Sequence, residues 1–208
     1  HAKIYVNGQF VDIPESIPEK RLDAAMKILI ESVYDKMDHM PSSKTIKDID
    51  TVFRLTALEP FDQSVGQYRL AFDDVTRYLQ TKSSSNESVK IRNLVDKFTK
   101  KPYGFNENDV LWILAMLFKH CKVELISDGI SYEGRSVNIA TGMDLVTKAK
   151  NFDRVVVHIH ETISQNTLFK VSSLYLELFS KACPNDENAL VEAYNKSAKD
   201  KIREADEY

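Results

Sequence analysis

The sequence predicts an α+β protein that is mainly helical, with a central winged-helix-like unit, flanking helices and short β-hairpins. The central unit is predicted by three observations. A basic amphipathic segment at residues 89–101 precedes a strongly apolar helix at residues 109–118. Strand-like residues 122–126 and 130–132 flank Asp128-Gly129, a dipeptide that favours a tight hairpin turn. Helix, short loop, helix and hairpin is the element order of a winged-helix module.

The composition is that of an ordinary globular protein. The chain has 208 residues, of which 43% are apolar and 28% are charged, so it can bury a core in one large or two small domains. The formal net charge of −3 argues against a chain built wholly to coat nucleic acid. It has no apolar run near 18 residues and no recognisable signal peptide, so we expect a cytoplasmic protein without a membrane span.

The first predicted element is a β-hairpin within residues 3–12. Asn7-Gly8 tolerates the positive φ values of a type I′ turn, and a two-residue loop places Tyr5 opposite Phe10. This register puts an aromatic pair on one face of the hairpin and aliphatic residues on the other. Because a hairpin this small is not stable alone, we expect it to pack on another element.

Three helices are predicted between this hairpin and the central unit. Apolar residues recur at spacings of three and four from Pro18 to Asp38, which is typical of an amphipathic helix that starts at a proline. A shorter helix is predicted from Thr45 to Leu55, and another from about Gln63 to Gln80. The Ser-rich residues 82–88 are predicted to form a solvated linker and a sub-domain boundary.

The elements after the central unit have weaker signals. A short strand is predicted at residues 136–139, a helix at 142–150 and a β-branched, buried strand at 152–160. A helix is predicted over residues 164–183, with Ser164 as its N-cap. Residues 186–208 are polar and helical with few apolar positions, so we expect this helix to continue beyond the fragment.

These elements divide the chain into three predicted parts. Residues 1–82 hold the N-terminal hairpin and helices, 88–135 the winged-helix-like unit, and 136–208 an α/β tail that ends in the polar helix. The chain begins at His1 rather than at a methionine, which suggests that it is an excised piece of a longer protein.

Catalytic motifs are absent from the sequence or weak. The chain contains no GxxxxGK[ST], no GxGxxG and no HExxH. His158 and His160 would share a strand face and could ligate a metal, but a catalytic zinc needs three protein ligands. Cys121 beside His120 would be inert if buried at a helix end. We therefore predict no catalytic residue, no metal and no cofactor in this chain; an unrecognised hydrolase stays as an alternative.

A possible nucleic-acid surface lies on the basic segment. Residues 89–101 carry five cations and one acid, an excess of +4 in a chain of net charge −3. Such a patch can contact phosphates with an affinity that falls as salt rises. The five candidate nucleic-acid-binding residues are Lys90, Arg92, Lys97, Lys100 and Lys101.

Two features argue against the reading of bases. A recognition helix offers polar side chains to base edges, whereas residues 110–118 are all apolar and belong in a core. The Asp128-Gly129 turn places Glu124 opposite Glu133, and an acidic wing is a poor partner for phosphate. Three interpretations stay open: a solvated basic face on a structural module, contact with the phosphate backbone, or sequence reading by a stand-alone winged-helix regulator.

Residues 98–105, Phe-Thr-Lys-Lys-Pro-Tyr-Gly-Phe, and the Leu- and Ala-containing helix at 110–117 resemble a motif of a known family. The family is that of the large BrxC/PglY-like P-loop ATPases of BREX phage-defence systems. Its motif commonly reads Lys-Pro-Tyr-Gly-Trp, so Phe105 replaces the usual tryptophan. The resemblance covers residues 2–132 and is weak beyond them.

The resemblance implies an accessory region outside the nucleotide-binding core of a prokaryotic phage-defence ATPase. ATP and Mg²⁺ would bind elsewhere in the full-length protein, and no catalytic residue can be carried over. The implied partners are other phage-defence subunits, a second copy of the chain or the DNA backbone. Pro102, Tyr103, Gly104 and Phe105 would have a structural role, in which Pro102 ends one helix and Gly104 permits a tight entry into the next.

Overall fold

Helices and two small antiparallel sheets make up the computed structural model, which confirms the predicted α+β, mainly helical class. The structure describes residues 3–6, 8–56, 59–160, 165–181 and 187–206. The chain divides into two compact units, residues 1–160 and 161–208. The three-part division expected from the sequence stays a prediction.

The first unit begins with the predicted β-hairpin. Strands β1 (Ile4–Val6) and β2 (Gln9–Val11) pair antiparallel, with Tyr5 opposite Phe10, so the predicted register is confirmed. The two rings lie 5.9 Å apart in an edge-to-face arrangement. Asn7 of the predicted turn lies outside the described residues.

Helix α1 (Pro18–Val33) begins at a proline, as predicted, but is shorter than the expected helix to Asp38. The backbone of Tyr34 leaves the helical region, and a 3₁₀ turn follows. Just beyond this break the Lys36 N–H donates to the carbonyl of Pro102 at 3.1 Å. The helix therefore ends where the chain turns to contact a distant segment, and local periodicity carries no signal for that contact.

The next predicted helix is confirmed, and the one after it is two helices. Helix α2 (Ile46–Arg54) agrees with the predicted bounds to within one residue at each end. Helices α3 (Phe61–Val65) and α4 (Arg69–Ser84) are separated by a 3₁₀ turn at Gly66, whose φ of +45° is incompatible with a continuing helix. Because α4 continues to Ser84, the first residues of the predicted linker are its last turn.

Helix α4 precedes the elements of the predicted winged-helix unit. It is followed by β3 (Val89–Lys90), α5 (Ile91–Phe98), α6 (Glu107–Lys119), β4 (Val123–Ser127) and β5 (Ile130–Tyr132). The β4–β5 hairpin turns at Asp128 and Gly129, which both have positive φ, +51° and +79°. The predicted two-residue hairpin turn is thus confirmed.

A strand from beyond the hairpin completes the sheet. Strand β6 (Val156–Ile159) lies between β3 and β4, which gives the antiparallel order β3-β6-β4-β5. Val157 and Ile159 are buried, whereas His158 and His160 are exposed. This alternation is typical of an antiparallel sheet with one solvated face, so the strand prediction is correct but its burial on both faces is not.

The segment between β5 and β6 differs from its prediction. Residues 136–138 form a turn rather than a strand, and helix α7 (Ile139–Thr147) follows directly. Asn138 caps this helix, because its side-chain oxygen accepts a hydrogen bond from the Thr141 N–H at 2.8 Å. A side chain that satisfies a free N–H at a helix start competes with strand formation at the same position.

Helix α6 lies at the centre of the core of the first unit. Every residue from Asp109 to Phe118 is buried, and α2, α4, α5, α7 and β4 pack around the helix. The Trp112 ring lies 5.0 Å from the ring of Tyr68 and 5.5 Å from that of Phe72. A helix that is apolar on all sides has to be covered on all sides, and the surrounding elements meet that requirement.

The second unit contains two helices, α8 (Gln165–Phe179) and α9 (Glu187–Asp206). Tyr175 is buried, and its hydroxyl lies 2.9 Å from that of Ser197, which joins the two helices. Both ends of the helix predicted over residues 164–183 lie outside the described residues. Among the helices that the structure describes, none is long and apolar enough to cross a membrane.

Gly104 permits a direct test of the packing between α1 and the α5–α6 turn. Its φ is +67°, and a Cβ atom would lie 2.7 Å from the Tyr34 ring. We expect Gly104→Ala to lower the free energy of unfolding by about 2–4 kcal/mol, since a left-handed backbone and a clash with the half-buried Tyr34 ring both destabilise. Urea denaturation followed by circular dichroism measures this loss.

Gly129→Ala is the matched control for that substitution. Gly129 has a φ of +79°, but no atom lies within 4 Å of its would-be Cβ. The decrease in the free energy of unfolding for Gly129→Ala should therefore reflect the backbone conformation alone, and we expect about 1–2 kcal/mol. Equal losses in the two variants would show that the Tyr34 contact does not constrain position 104.

Candidate nucleic-acid interface

The basic segment is displayed on α5 and on the turn that follows it. Four of the five candidate cations are exposed: Lys90, Lys97, Lys100 and Lys101. None of the ion pairs among the described residues involves these four lysines. Arg92 is half-buried, with Nη2 3.5 Å from the Asp153 carboxylate and its guanidinium 5.1 Å from the centre of the Phe152 ring. Four cations are therefore open to solvent, and the fifth is engaged within the fold.

The packing of α5 determines where the lysines lie. The buried side of the helix consists of Ile91, Leu94, Val95 and Phe98. Lys90 and Lys97 are seven residues apart, which is about two helical turns, so they share a face away from this apolar side. Lys100 and Lys101 follow in the turn after the helix. The segment thus presents cations along one edge of the first unit.

The residues Pro102 to Phe105 connect three helices. Tyr103 and Phe105 are buried, and their rings lie 4.5 Å and 6.2 Å from the ring of Phe98 at the end of α5. The Phe105 N–H donates to the Phe98 carbonyl at 3.0 Å. The Tyr34 ring at the end of α1 occupies the space above Gly104. This turn therefore joins α5 and α6 to the end of α1.

A buried carboxylate fixes the segment that follows α1. Asp74 on α4 is 8% exposed and accepts hydrogen bonds from Lys36 Nζ at 3.0 and 3.1 Å. Asp74 also lies 2.9 Å from His39 Nδ1. The hydrogen bond to Asp74 raises the pKa of Lys36 and keeps its charge. Residues 34–39 are thereby held against α4 as well as against the α5–α6 turn.

An open cavity of about 680 Å³ lies beside the start of α6. Exposed carboxylates of Glu31, Asp35 and Asp38 line one part of it. Its apolar wall consists of Tyr34, Met37, Met40 and Phe105. In a helix-turn-helix protein the start of the recognition helix contacts base edges. Here a phosphate approaching that end would meet negative charge, which disfavours DNA at this position.

The N-terminus of α6 is closed by hydrogen bonds from within the chain. Asp109 is 2% exposed and accepts from the backbone N–H groups of Asn106 at 2.9 Å and Lys44 at 2.5 Å. Asn106 Nδ2 donates to Ser43 Oγ at 2.9 Å. The 43–44 loop thus covers the first turn, while α2 and α7 cover the side of the helix. No face of α6 is left to meet base edges.

The wing, which is the β4–β5 hairpin, carries acidic residues. Two of them make ion-pair contacts that the sequence alone does not predict. Arg154 Nη2 donates to both carboxylate oxygens of Asp128 at 3.0 and 2.9 Å. Glu124 accepts from Ser131 Oγ and lies 3.0 Å from His158 Nδ1. Arg154 and His158 reach the wing because β6 is inserted beside β4, and no local sequence signal predicted that insertion. Within the described residues, no three His, Cys, Asp or Glu side chains group to hold a metal.

Comparison with protein-family models identifies the family of this chain. The family model of the BREX ATP-binding protein BrxC winged helix-turn-helix domain matches residues 31–161, more than half of the chain. No solved structure matches the chain. The matched range contains the α5–α6 turn, the buried α6 and the complete β3-β6-β4-β5 sheet. The match thus supports the winged-helix interpretation of these elements.

His120 at the end of α6 makes the packing around this helix sensitive to pH. Its ring lies 5.3 Å from the Phe61 ring, and Nε2 is buried without a hydrogen bond to the described residues. Burial lowers the pKa of His120 below its usual 6.5, and the nearby charges of Lys122 and Arg135 lower it further. The neutral imidazole is thus the form that the folded chain favours.

We expect stability to fall as the pH drops below about 6.5, because the unfolded chain then binds a proton that folded His120 binds less readily. The stability that neutral His120 contributes is complete above the pKa that the residue has in the unfolded chain. It is lost as the pH falls through the lower pKa that the residue has in the folded chain. His120→Gln should remove this slope between about pH 7.5 and about pH 5 in urea titrations. The exposed His160→Gln is the control; if it flattens the profile equally, His120 is not the source.

Proposed function

We propose that this chain, which belongs to the family of BREX BrxC winged helix-turn-helix domains, is a non-catalytic accessory module of a BREX ATP-binding protein. In this proposal it docks partner proteins or the DNA backbone and does not read base sequence. Burial of every residue of α6 from Asp109 to Phe118 is the observation that carries the proposal. ATP and Mg²⁺ would act elsewhere in the full-length, cytoplasmic phage-defence protein, since these residues contain no P-loop.

Docking of partner proteins is supported by the surface near α6. The cavity beside its N-terminus combines exposed carboxylates with an apolar wall, a mixture that suits protein side chains better than phosphates. From Asp109 to Phe118 the helix itself contributes only to the core. A winged-helix shape with a covered recognition helix is therefore best explained as a scaffold that positions other surfaces, such as assembly contacts with phage-defence subunits.

Contact with the DNA backbone is the second candidate, and the exposed lysines favour it. Lys97, Lys100 and Lys101 lie at the end of α5 and in the next turn without ion-pair partners among the described residues. Phosphate contacts of this kind position a protein on DNA but carry no sequence information. Such binding would leave α6 in the core and fits the buried state of that helix.

Binding of the whole chain to a fluorescent random-sequence duplex across a salt series tests the DNA candidate. We expect micromolar affinity near 50 mM salt and a slope of log K against log salt of about −2 to −4, since each neutralised phosphate contributes about −0.9. A second duplex of unrelated sequence should bind within about threefold, because backbone contacts do not discriminate bases.

Charge reversal locates the binding surface. The triple variant Lys97→Glu, Lys100→Glu, Lys101→Glu should bind at least about tenfold more weakly at low salt and show a shallower salt slope. The control reverses Lys3, Lys47 and Lys150, three exposed lysines outside the basic segment, so its net charge is matched. Equal weakening in both variants would mean that net charge, not the basic segment, governs binding.

Two other outcomes would change the proposal. A preference of about 1,000-fold for one duplex would contradict it and favour a stand-alone winged-helix regulator, since that is the scale of specific recognition. Absence of binding at low salt would remove the DNA candidate. Docking of partner proteins would then be the remaining role.

A further inference from the structure

Helix α1 is amphipathic in the reverse of the usual sense. Its half-buried side consists of Arg21, Ala24, Ala25 and Ile28. Its exposed side carries Leu22, Met26, Leu29 and Val33, with exposed fractions of 62, 49, 37 and 38%. No residue of the helix is buried. A helix that packs on its own domain turns its apolar side inward, so this outward apolar side requires another partner.

The spacing of the exposed residues specifies a helix as that partner. Leu22, Met26, Leu29 and Val33 are separated by four, three and four residues. This is the alternation of d and a positions in a heptad, which forms a narrow seam along one side of a helix. Knobs from a second helix fit the holes of such a seam, whereas an extended chain, with its period of two, does not. The occupant is therefore an α-helix.

The distribution of charge along α1 identifies a second copy of this chain. Its first ten residues carry Lys20, Arg21 and Lys27 against Glu19 and Asp23, a small positive excess. The other end carries Glu31, which lies 3.8 Å from Lys27 of the same helix. Asp35 and Asp38 follow in the residues after the helix, where Lys36 is already paired with Asp74. An antiparallel pair places each positive end beside a negative end and also opposes the two helix dipoles. A parallel pair would place the two acidic ends together.

We propose that α1 forms an antiparallel, two-fold symmetric pair with α1 of a second copy. Leu22 then lies opposite Val33 of the second copy, and Met26 opposite Leu29, which are the a–d layers of an antiparallel coiled coil. The two-fold axis makes this surface self-complementary and limits the assembly to a dimer. The pairing is independent of the basic segment and of any DNA contact.

The interface is small, and its area limits the affinity of the dimer. A helix of 16 residues is about 24 Å long and offers two such layers on each side of the axis. Interfaces below the usual 1,200 Å² or so are weak or transient, so we expect a dissociation constant on the order of tens of micromolar. Such a contact strengthens when the chains are held together by other parts of an assembly.

Sedimentation equilibrium of the whole chain measures the pairing. We expect a monomer–dimer equilibrium between about 5 and about 500 µM. The double variant Met26→Glu, Leu29→Glu should weaken dimerisation at least about tenfold, because it introduces four carboxylates into the seam. Both positions are exposed in the monomer, and circular dichroism confirms that the variant is folded. Leu70→Glu, at an exposed position of α4, is the control and should not change the dimer.

Disulfide cross-linking determines the orientation. In a background of Cys121→Ser and Cys183→Ser, one chain carries Leu22→Cys and another Val33→Cys. An antiparallel pair cross-links efficiently when the two chains are mixed, and neither chain cross-links alone. Cross-linking of each chain with itself would mean a parallel pair and would overturn the proposal. So would a monomer at every concentration, or a dimer that the seam variant does not weaken.

Discussion

The burial of one apolar helix determines the architecture of the first unit. From Val110 to Phe118 every residue of α6 is apolar, so no side of this helix can face water without a cost that grows with the exposed area. Five elements cover it, and two of them, α2 and α7, pack so closely on each other that a Cβ at Gly142 of α7 would lie 2.4 Å from the Phe53 ring of α2. The hydrogen bonds of Asp109 then close the end that packing cannot cover.

The same constraint decides what kind of contact the fold can make. A helix that reads DNA must be polar on its outer side, and a helix that fills a core cannot be, so α6 cannot serve both roles. Charged and apolar residues available to partners therefore lie elsewhere: cations on α5, carboxylates beside the start of α6, and apolar residues on α1. This separation of surfaces suits an assembly module better than a sequence reader.

The sequence predicts what depends on neighbouring residues and misses what depends on distant ones. Continuous apolar residues identified α6, and the Asp128-Gly129 turn identified the wing. The early end of α1 depends on Pro102, sixty-six residues from its partner Lys36, and the insertion of β6 depends on pairing across the whole unit. For the same reason, the sequence identifies the basic residues but not the ion-pair partner of Arg92. That partner is Asp153, which lies just before β6.

The apolar residues of the first unit are covered around α6 but exposed on α1, and this difference identifies α1 as the surface that lacks a partner among the residues that the structure describes. Around α6 every large apolar side chain packs against others of the same unit, so this part of the fold needs no further partner to bury its apolar surface. On α1 most of the large apolar side chains point outward, whereas the small Ala24 and Ala25 lie with Ile28 on the half-buried side. This arrangement lowers the stability of an isolated unit. The family match begins at residue 31, near the end of α1, so most of the helix precedes the matched domain. Its outward side is therefore best understood as a contact that the winged-helix core does not need for folding.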